Sequence, residues 1–460
     1  MEHNGGLSAE LVTACEQVAE DVISWRHHLH QYPELSNREE KTAAFIADKL
    51  EEFGVDSITT DVSGHGVVAI IRGGADGDGE SDAPRRSVLL RADIDALPVK
   101  EDTDLEFRSE EVDKDYPGGP FPVAHACGHD AHTAMLLGAA RVLADARADL
   151  PGDVVLVFQP AEEGAPVDEE GGAATMIAED LFDDLDPQPT MAFGMHVVPA
   201  PAGWICYSTG VQNAASELIS ITIKGRQVHG STPWEGVDPL PAAAEIITAI
   251  GQIYRQVDAK NPFTVSIGHV EDTGRFNIVG GQVRLTGTAR CVDDVVMDHV
   301  NGLIERLVDG VAAAYGCSAE VEFAQQVPPV INSPEWMEAC VPLFEQVLEA
   351  LGTSGDGQAQ VAEVPLSLGY DDMSVFMNRF GGVYALLGVQ EVAFDDAGNP
   401  VPAEGGRGMV PNHNPSFYVV DDALVTGVAL HVAVARAHLA GQLEPGESDE
   451  KAEAQGPFGR

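Results

Sequence analysis

Apolar residues recur at helical spacing from residue 8 to 30 (Leu11, Val18, Val22, Ile23, Leu29) until Tyr32-Pro33-Glu34 breaks the pattern. A second helix is predicted from Asn37 to Phe53, acidic early and with Lys49 late as the helix dipole prefers, and Gly54 closes it. Val67 to Ile71 reads as a strand, and the Gly/Asp/Glu-rich run from Gly73 to Pro84 as an exposed loop or hairpin tip. Val88 to Pro98 is an apolar strand that ends in acids and a proline, and Ala134 to Ala140 is the apolar run of a buried helix. Val154 to Gln159 and, after one more helix, Met191 to Met195 are again strands. Strands alternating with helices predict an α/β fold on a mixed, mostly parallel sheet, in which ligands bind beyond the carboxyl ends of the strands.

From Glu217 the pattern changes. Leu218 to Ile223 alternates like a half-exposed strand, Pro239 to Val257 is helical, and Thr264 to His269 and Gln282 to Ala289 alternate again. Asp294 to Tyr315 is a second amphipathic helix and Glu320 to Phe323 a last strand. That β-α-β-β-α-β order is that of a ferredoxin-like unit. The expected organisation is a first domain split between residues 1–214 and 329–442, an inserted ferredoxin-like α+β domain at 215–328, and a disordered acidic tail at 443–460. After the insertion, Glu335 to Leu351 is predicted helical, Gly381 to Leu387 a strand, Asn412 to Pro415 a loop and Asp422 to Leu439 the final helix.

The chemistry-bearing residues fall where the strands end. His125 to His132 (His-Ala-Cys-Gly-His-Asp-Ala-His) puts thiol, imidazole and carboxylate just ahead of a core helix, and Cys127-x-His129 is close enough for two metal ligands to come from one turn. A polar loop with a buried free thiol is the alternative. Asp95, Glu162, Glu163 and His196 each follow an apolar strand, and independent core residues have no reason to collect at the same end of several strands. Adjacent Glu162 and Glu163 point in different directions, so one can bind metal while the other works as a base; a solvated acidic turn is the competing reading.

Composition narrows the partners. The balance of 26 basic against 74 acidic residues gives a net charge of -48, which disfavours nucleic acid. Acids spread through every segment and lysine occurs at only seven positions, a pattern that suits a high-salt cytoplasm, where multimolar salt shrinks the Debye length to about 3 Å or less. No basic-then-apolar leader opens the chain and no uncharged run reaches ~18 apolar residues, so a cytoplasmic protein without membrane spans is expected. The six cysteines (15, 127, 206, 291, 317, 340) form no Cys-x-x-Cys pair, so no disulfide framework is expected, and all but Cys127 are expected to be buried apolar residues.

The stretches His-Ala-Cys-Gly-His-Asp-Ala-His-Thr, Leu-Arg-Ala-Asp-Ile-Asp-Ala-Leu-Pro, Gln-Pro-Ala-Glu-Glu-Gly, Gly-Met-His and Asn-His-Asn-Pro, with Tyr-Pro-Glu-Leu at residues 32–35, resemble the signatures of the aminoacylase/carboxypeptidase clan of dinuclear metallohydrolases. More narrowly they are similar to its amidohydrolase branch of N-acyl-amino-acid amidohydrolases, hippurate hydrolases and auxin-conjugate hydrolases, over residues 20 to 440. The resemblance implies two divalent metal ions per subunit (zinc, manganese, cobalt or nickel) held by Cys127, His129, Glu163, His196 and His413, with Glu162 as general base and Asp95 orienting a ligand from behind. It further implies a homodimer whose His229 stabilises the oxyanion in the partner's site, and Asn277 and Arg290 as holders of the substrate carboxylate. The implied reaction is hydrolysis of the amide bond of a small N-acylated amino acid. A dipeptidase or carboxypeptidase, or an inactive binding protein of the same fold, are the alternatives. Gly280-Gly281 and Gly369 to Met373 depart from the family pattern beside the expected substrate pocket, so acyl-group preference does not carry over. Histidines 27, 28, 30, 65, 269, 299, 431 and 438 are expected at the surface or in helix packing; His125 and His132 are left open.

Overall fold

A computed structural model describes residues 8–75, 85–166, 169–354 and 359–445. Residues 76–84 of the expected loop and 446–460 of the expected tail lie outside the described residues. The chain divides into two compact units, one made of residues 1–210, 332–364 and 375–460, the other of 211–331 and 365–374.

The first unit opens with α1 (Ala9–Gln31), capped by the Ser8 hydroxyl accepting from the Leu11 amide, its buried stripe running through Leu11, Val18, Val22, Trp25 and Leu29. Helix α2 (Glu40–Phe53) starts three residues later than its apolar pattern suggests, because Asn37 is left-handed (φ 62°) and non-helical. Strands β1 (Ser57–Val62), β2 (Gly66–Ile71) and β3 (Ser87–Asp93) follow, then α3 (His129–Asp145), β4 (Asp153–Gln159), β5 (Ala192–Pro201) and β6 (Ile205–Tyr207).

The second unit contains β7 (Ala215–Lys224), α4 (Pro239–Ile250), β8 (Phe263–Asp272), β9 (Gln282–Cys291), α5 (Asp294–Ala314) and β10 (Ser318–Val327). Its sheet has the order β8-β9-β7-β10 with every neighbour antiparallel, which is ferredoxin-like. Ile219, Ile221 and Ile223 of β7 and Val283 and Leu285 of β9 alternate onto one face, packed with Ile246 of α4 and with Val300, Ile304 and Val308 of α5. The helix expected as far as Val257 stops at Ile250, where Gly251, a poor helix former, caps it, and a separate short turn covers Ile253–Arg255. Residues 365–374 join this unit because the Ser367 amide donates to the Gln212 carbonyl (2.8 Å) and the Ala214 amide to that of Gly369 (3.0 Å), a pairing no local pattern announces.

Returning to the first unit, the chain adds α6 (Pro334–Ala350), β11 (Val361–Glu363), β12 (Gly382–Gln390) and α7 (Leu424–Leu439). The eight-stranded sheet runs β1-β2-β4-β3-β5-β12-β6-β11. Its centre, β4-β3-β5-β12, is parallel, and the antiparallel pairings lie at β1-β2, β2-β4 and β12-β6, so the sheet is mixed and mostly parallel. Helices α1, α3 and α7 pack together so closely that a Cβ on Gly138 would lie 2.6 Å from Val22 and 2.8 Å from Val428, which is why α3 is built from small residues there. Among the described residues the stretch Asp421–Leu439 is long and apolar enough to cross a bilayer, yet 83% of it is buried within the protein, as befits a core helix. All six cysteines are free; Cys15, Cys206, Cys291 and Cys340 are buried as expected, whereas Cys317 is partly exposed in the turn between α5 and β10.

Candidate metal centre

The parallel centre of the sheet aims the ends of β3 and β4 and the middle of β5 at one place; β5 does not stop before His196 as its apolar run suggests but continues to Pro201, paired with β12. Asp93 and Gln159 are register partners at the last positions of β3 and β4, and His196 lies in β5 opposite Leu386 of β12. Gly128 precedes α3 in a left-handed conformation (φ 98°), and a Cβ there would lie 2.3 Å from Val197, so only glycine lets the Cys127-Gly128-His129 turn sit against β5.

The residues singled out from the sequence form three potential ligand sets, the atoms of each within 4.8 Å of one another: Cys127, His129 and His196; Cys127, Glu163 and His413; His129, Glu162 and Glu163. All five ligands implied by the resemblance are thereby brought together, with Cys127 common to two sets. The Cys127 sulfur is 3.3 Å from His196 Nε2, and His413 Nε2 is 3.2 Å from Glu163 Oε1. His196 Nδ1 donates to the Val197 carbonyl (2.7 Å), which leaves the Nε2 lone pair facing the sulfur. His129 Nδ1 donates to Asp95 Oδ1 (3.2 Å), and its fully buried Nε2 has no hydrogen-bond partner among the described groups, lying 3.8 Å from Glu162 and 3.9 Å from Glu163. A buried, oriented and unbonded imidazole nitrogen beside a thiol and two carboxylates suits a divalent cation with borderline-soft preferences.

Asp95 does more than orient His129. Its Oδ2 accepts from the Glu163 amide (3.0 Å) and the Ser36 hydroxyl (2.7 Å), so one buried carboxylate ties a histidine to the glutamate loop. That loop is entered through Ala161, left-handed at φ 55°, whose amide donates to Glu39 (2.9 Å). Such strain at a non-glycine residue is a mark of functional segments.

The electrostatics favour a cation. Burial, then the charges of Glu163, Glu162 and Asp93, pushes the Cys127 thiol well above its ordinary range. Burial opposes charge on His129, yet Asp93 and Asp95 push it up to about 10. Burial and neighbouring His132 hold His196 well below the ordinary imidazole value, the neutral form that ligation needs. A bound divalent cation reverses the thiol's preference, since it stabilises the thiolate directly.

Residues the motif reading passed over complete the frame. Asp93, two residues before Asp95 and fully buried, bonds Arg91 (2.7 Å) and His132 (2.5 Å); the period-two alternation of LRADID is the signal that would have found it. Buried Arg26 on α1 donates to Asp130 (3.1 Å), the Val419 carbonyl (3.2 Å) and Asp421 (2.5 Å), joining α1 to the ligand turn and to the segment after His413. His30, expected merely to pack, is buried between Asp130 (2.9 Å) and Glu101 (3.1 Å). Asn412 donates to the Cys127 carbonyl (2.9 Å) and the Val197 carbonyl (3.2 Å), and the His413 amide to the Ala126 carbonyl (2.7 Å).

His229, Asn277 and Arg290 belong to the second unit. There His229 is an exposed register partner of Ile278, the Gly230 amide donates to the Asn277 carbonyl (2.9 Å), and Arg290 lies over the Tyr370 ring at 4.8 Å. His229 Nδ1 accepts from the Ser231 amide (3.1 Å), so its proton sits on Nε2.

Strand ends that converge thiol, imidazoles and paired carboxylates on a site for divalent cations define a metal-dependent hydrolase of α/β architecture. The sequence comparisons agree. Residues 89–437 match the family model described as peptidase family M20/M25/M40, and the chain belongs to that family. It is 32% identical over 432 residues to thermostable carboxypeptidase 1 of Saccharolobus solfataricus, covering 93% of this chain and 98% of the relative. It is 35% identical over 328 residues to an N-acyl-L-amino acid amidohydrolase of Geobacillus stearothermophilus, covering 71% and 82%. Among solved structures, a dinuclear metal-binding M20 peptidase of Bacillus subtilis superposes with a TM-score of 0.67 at 28% identity, covering 92% of this chain and 99% of that one.

Proposed function

We propose that the protein is a metal-dependent amidohydrolase that cleaves the amide bond of small N-acylated amino acids in a salt-rich cytoplasm, as a homodimer. The observation that carries the metal reading is the sharing of Cys127 between two ligand sets, one completed by His129 and His196, the other by Glu163 and His413. Two divalent cations held by these residues would supply Lewis-acid polarisation and a lowered pKa for water.

The protein's own groups do the rest. Glu162 is 5% exposed, and its carboxylate stands 3.8 Å from the His129 nitrogen, where it can take a proton from water and pass it to the leaving nitrogen. Asp95 holds His129 in the tautomer that presents a lone pair. His229, protonated on Nε2, is suited to donate to the oxyanion of the partner subunit's substrate, and the Arg290 guanidinium with Asn277 to hold the substrate carboxylate.

Relatives named amidohydrolase favour acyl-amino acids, and the carboxypeptidase relative favours peptides as the second reading. Metal analysis coupled to a panel of N-acetyl-amino acids, N-benzoyl-amino acids and dipeptides in high-salt buffer separates them. Faster turnover of the acyl-amino acids is expected; faster turnover of dipeptides selects the peptidase, and inertness of metal-loaded protein selects a binding protein. Within the active enzyme, Glu162→Gln is expected to retain metal and lose on the order of 10²–10⁴ in rate. More than a tenth of wild-type rate in that variant removes Glu162 from the role of base.

A further inference from the structure

His132 sits one helical turn inside α3, fully buried, with Asp93 and His129 as neighbours in a group of potential ligands. Its hydrogen bonds argue against ligation. Asp93 pairs its Oδ2 with the Arg91 guanidinium (2.7 Å), so at 2.5 Å its Oδ1 accepts and the imidazole Nδ1 is the donor. The Val197 amide can only donate, so at 2.8 Å Nε2 must be the acceptor. Both nitrogens are committed to protein groups and no lone pair remains.

His132 grips the backbone of Val197, the residue that also anchors the His196 ring. The Val197 N–H goes to His132, while its carbonyl accepts from His196 Nδ1 (2.7 Å) and from Asn412 (3.2 Å). The N–H belongs to the peptide that joins His196 to Val197 and the carbonyl to the next peptide; the first bond fixes the backbone that carries the His196 ring and the second anchors its Nδ1, so together they set where His196 Nε2 points, 3.3 Å from the Cys127 sulfur. Asp93 is itself fixed by Arg91 (2.7 Å), which also donates to Gln159 (2.8 Å), so the chain of bonds starts in the interior of the sheet and ends at the metal centre.

We infer that His132 is a positioning residue that aims His196 at one of the two metal positions by holding the Val197 backbone through its N–H, and is not itself a ligand. This rests on the dinuclear reading above, and the test separates the two. Cobalt(II) is titrated into chelator-treated full-length wild type, His132→Ala, His132→Gln and His196→Ala, with equilibrium dialysis for stoichiometry and the thiolate-to-cobalt absorption band as the signature of Cys127 coordination. Wild type is expected to bind two cobalt ions. In His132→Ala one of them weakens 10–100-fold with an altered band while saturation still reaches two, and the other is unaffected. His132→Gln restores much of the loss, because its amide can accept from Val197 and donate to Asp93. His196→Ala loses one ion outright.

Loss of one ion at saturation in His132→Ala, as in His196→Ala, makes His132 a ligand and overturns the inference. So does wild-type affinity and absorption with only a lower melting temperature. A wild type that binds no cobalt overturns the dinuclear reading and this one with it. Because the alanine variant removes a buried ring, the wild type is also measured by ¹⁵N NMR of labelled histidines with and without ¹¹³Cd. Retention of the Nδ1–H tautomer at His132 in both states is expected, and a cadmium–nitrogen coupling at His132 refutes it.

Discussion

Asp95→Asn changes one atom of the frame behind the metal centre, and the structure says what that atom costs. The carboxylate accepts three bonds: His129 Nδ1 at 3.2 Å on Oδ1, and the Glu163 amide at 3.0 Å and the Ser36 hydroxyl at 2.7 Å on Oδ2. An asparagine that keeps its carbonyl toward His129 turns its NH2 onto two donors. Ser36 can rotate and accept, but the Glu163 amide cannot, and a buried donor without a partner costs about 1–3 kcal/mol. Flipped, the NH2 faces His129 Nδ1, and the ring must move its proton to Nε2, where the ligand lone pair should be. Either orientation damages the site, so the expected loss of metal affinity is about 10–100-fold, or about 1.4–2.7 kcal/mol. Urea unfolding of chelator-treated protein measures the stability part, and competition against a chromophoric chelator measures the affinity part. If neither moves, Asp95 does not orient His129 and the reasoning fails.

Three further outcomes follow from other parts of the molecule. Burial, with the Asp95 charge, pushes Glu39 up to about 8, so between the ordinary 4.5 and about 8 the folded state holds a proton that the unfolded state has released. Stability should therefore fall by up to about 1.4 kcal/mol per pH unit across that window and level off above it, and Glu39→Gln should flatten the profile of urea midpoints between pH 5 and 9; an unchanged profile refutes the burial argument. The net charge of -48 should make the melting temperature rise between low and molar KCl as repulsion is screened, and equal midpoints by circular dichroism would sink the high-salt reading. Mixing inactive His229→Ala with inactive Glu162→Gln should recover about a quarter of wild-type activity, since about half of randomly exchanged dimers are mixed and each has one intact site; demonstrated exchange without activity would end the assignment of His229 to the neighbouring subunit.

Much of the fold is legible in the amino-acid sequence because it is written in short-range periodicity. The alternation of Ile219, Ile221 and Ile223 needs a face to bury, and the stripe Leu11, Val18, Val22, Leu29 needs a partner, whichever strand or helix supplies it. The octapeptide, the paired glutamates and Gly-Met-His are legible for a related reason: strands that run in parallel present their carboxyl ends together, so ligands following several strands meet.

What the sequence could not settle is which distant groups close the remaining valences. The order β2-β4-β3-β5-β12 is not the order of the chain, and only that order sets Asp93 beside Gln159 and brings Val197 within reach of His132. Arg26 meets the Val419 carbonyl 393 residues away, and Asp93 meets His132 across 39. Each of these residues has an ordinary local reading as a helix cation, a strand acid or a packing histidine. Periodicity reports which side of an element is buried. It carries no information on which donor faces which acceptor once elements from opposite ends of the chain are packed, and the role of His132 is decided by that pairing alone.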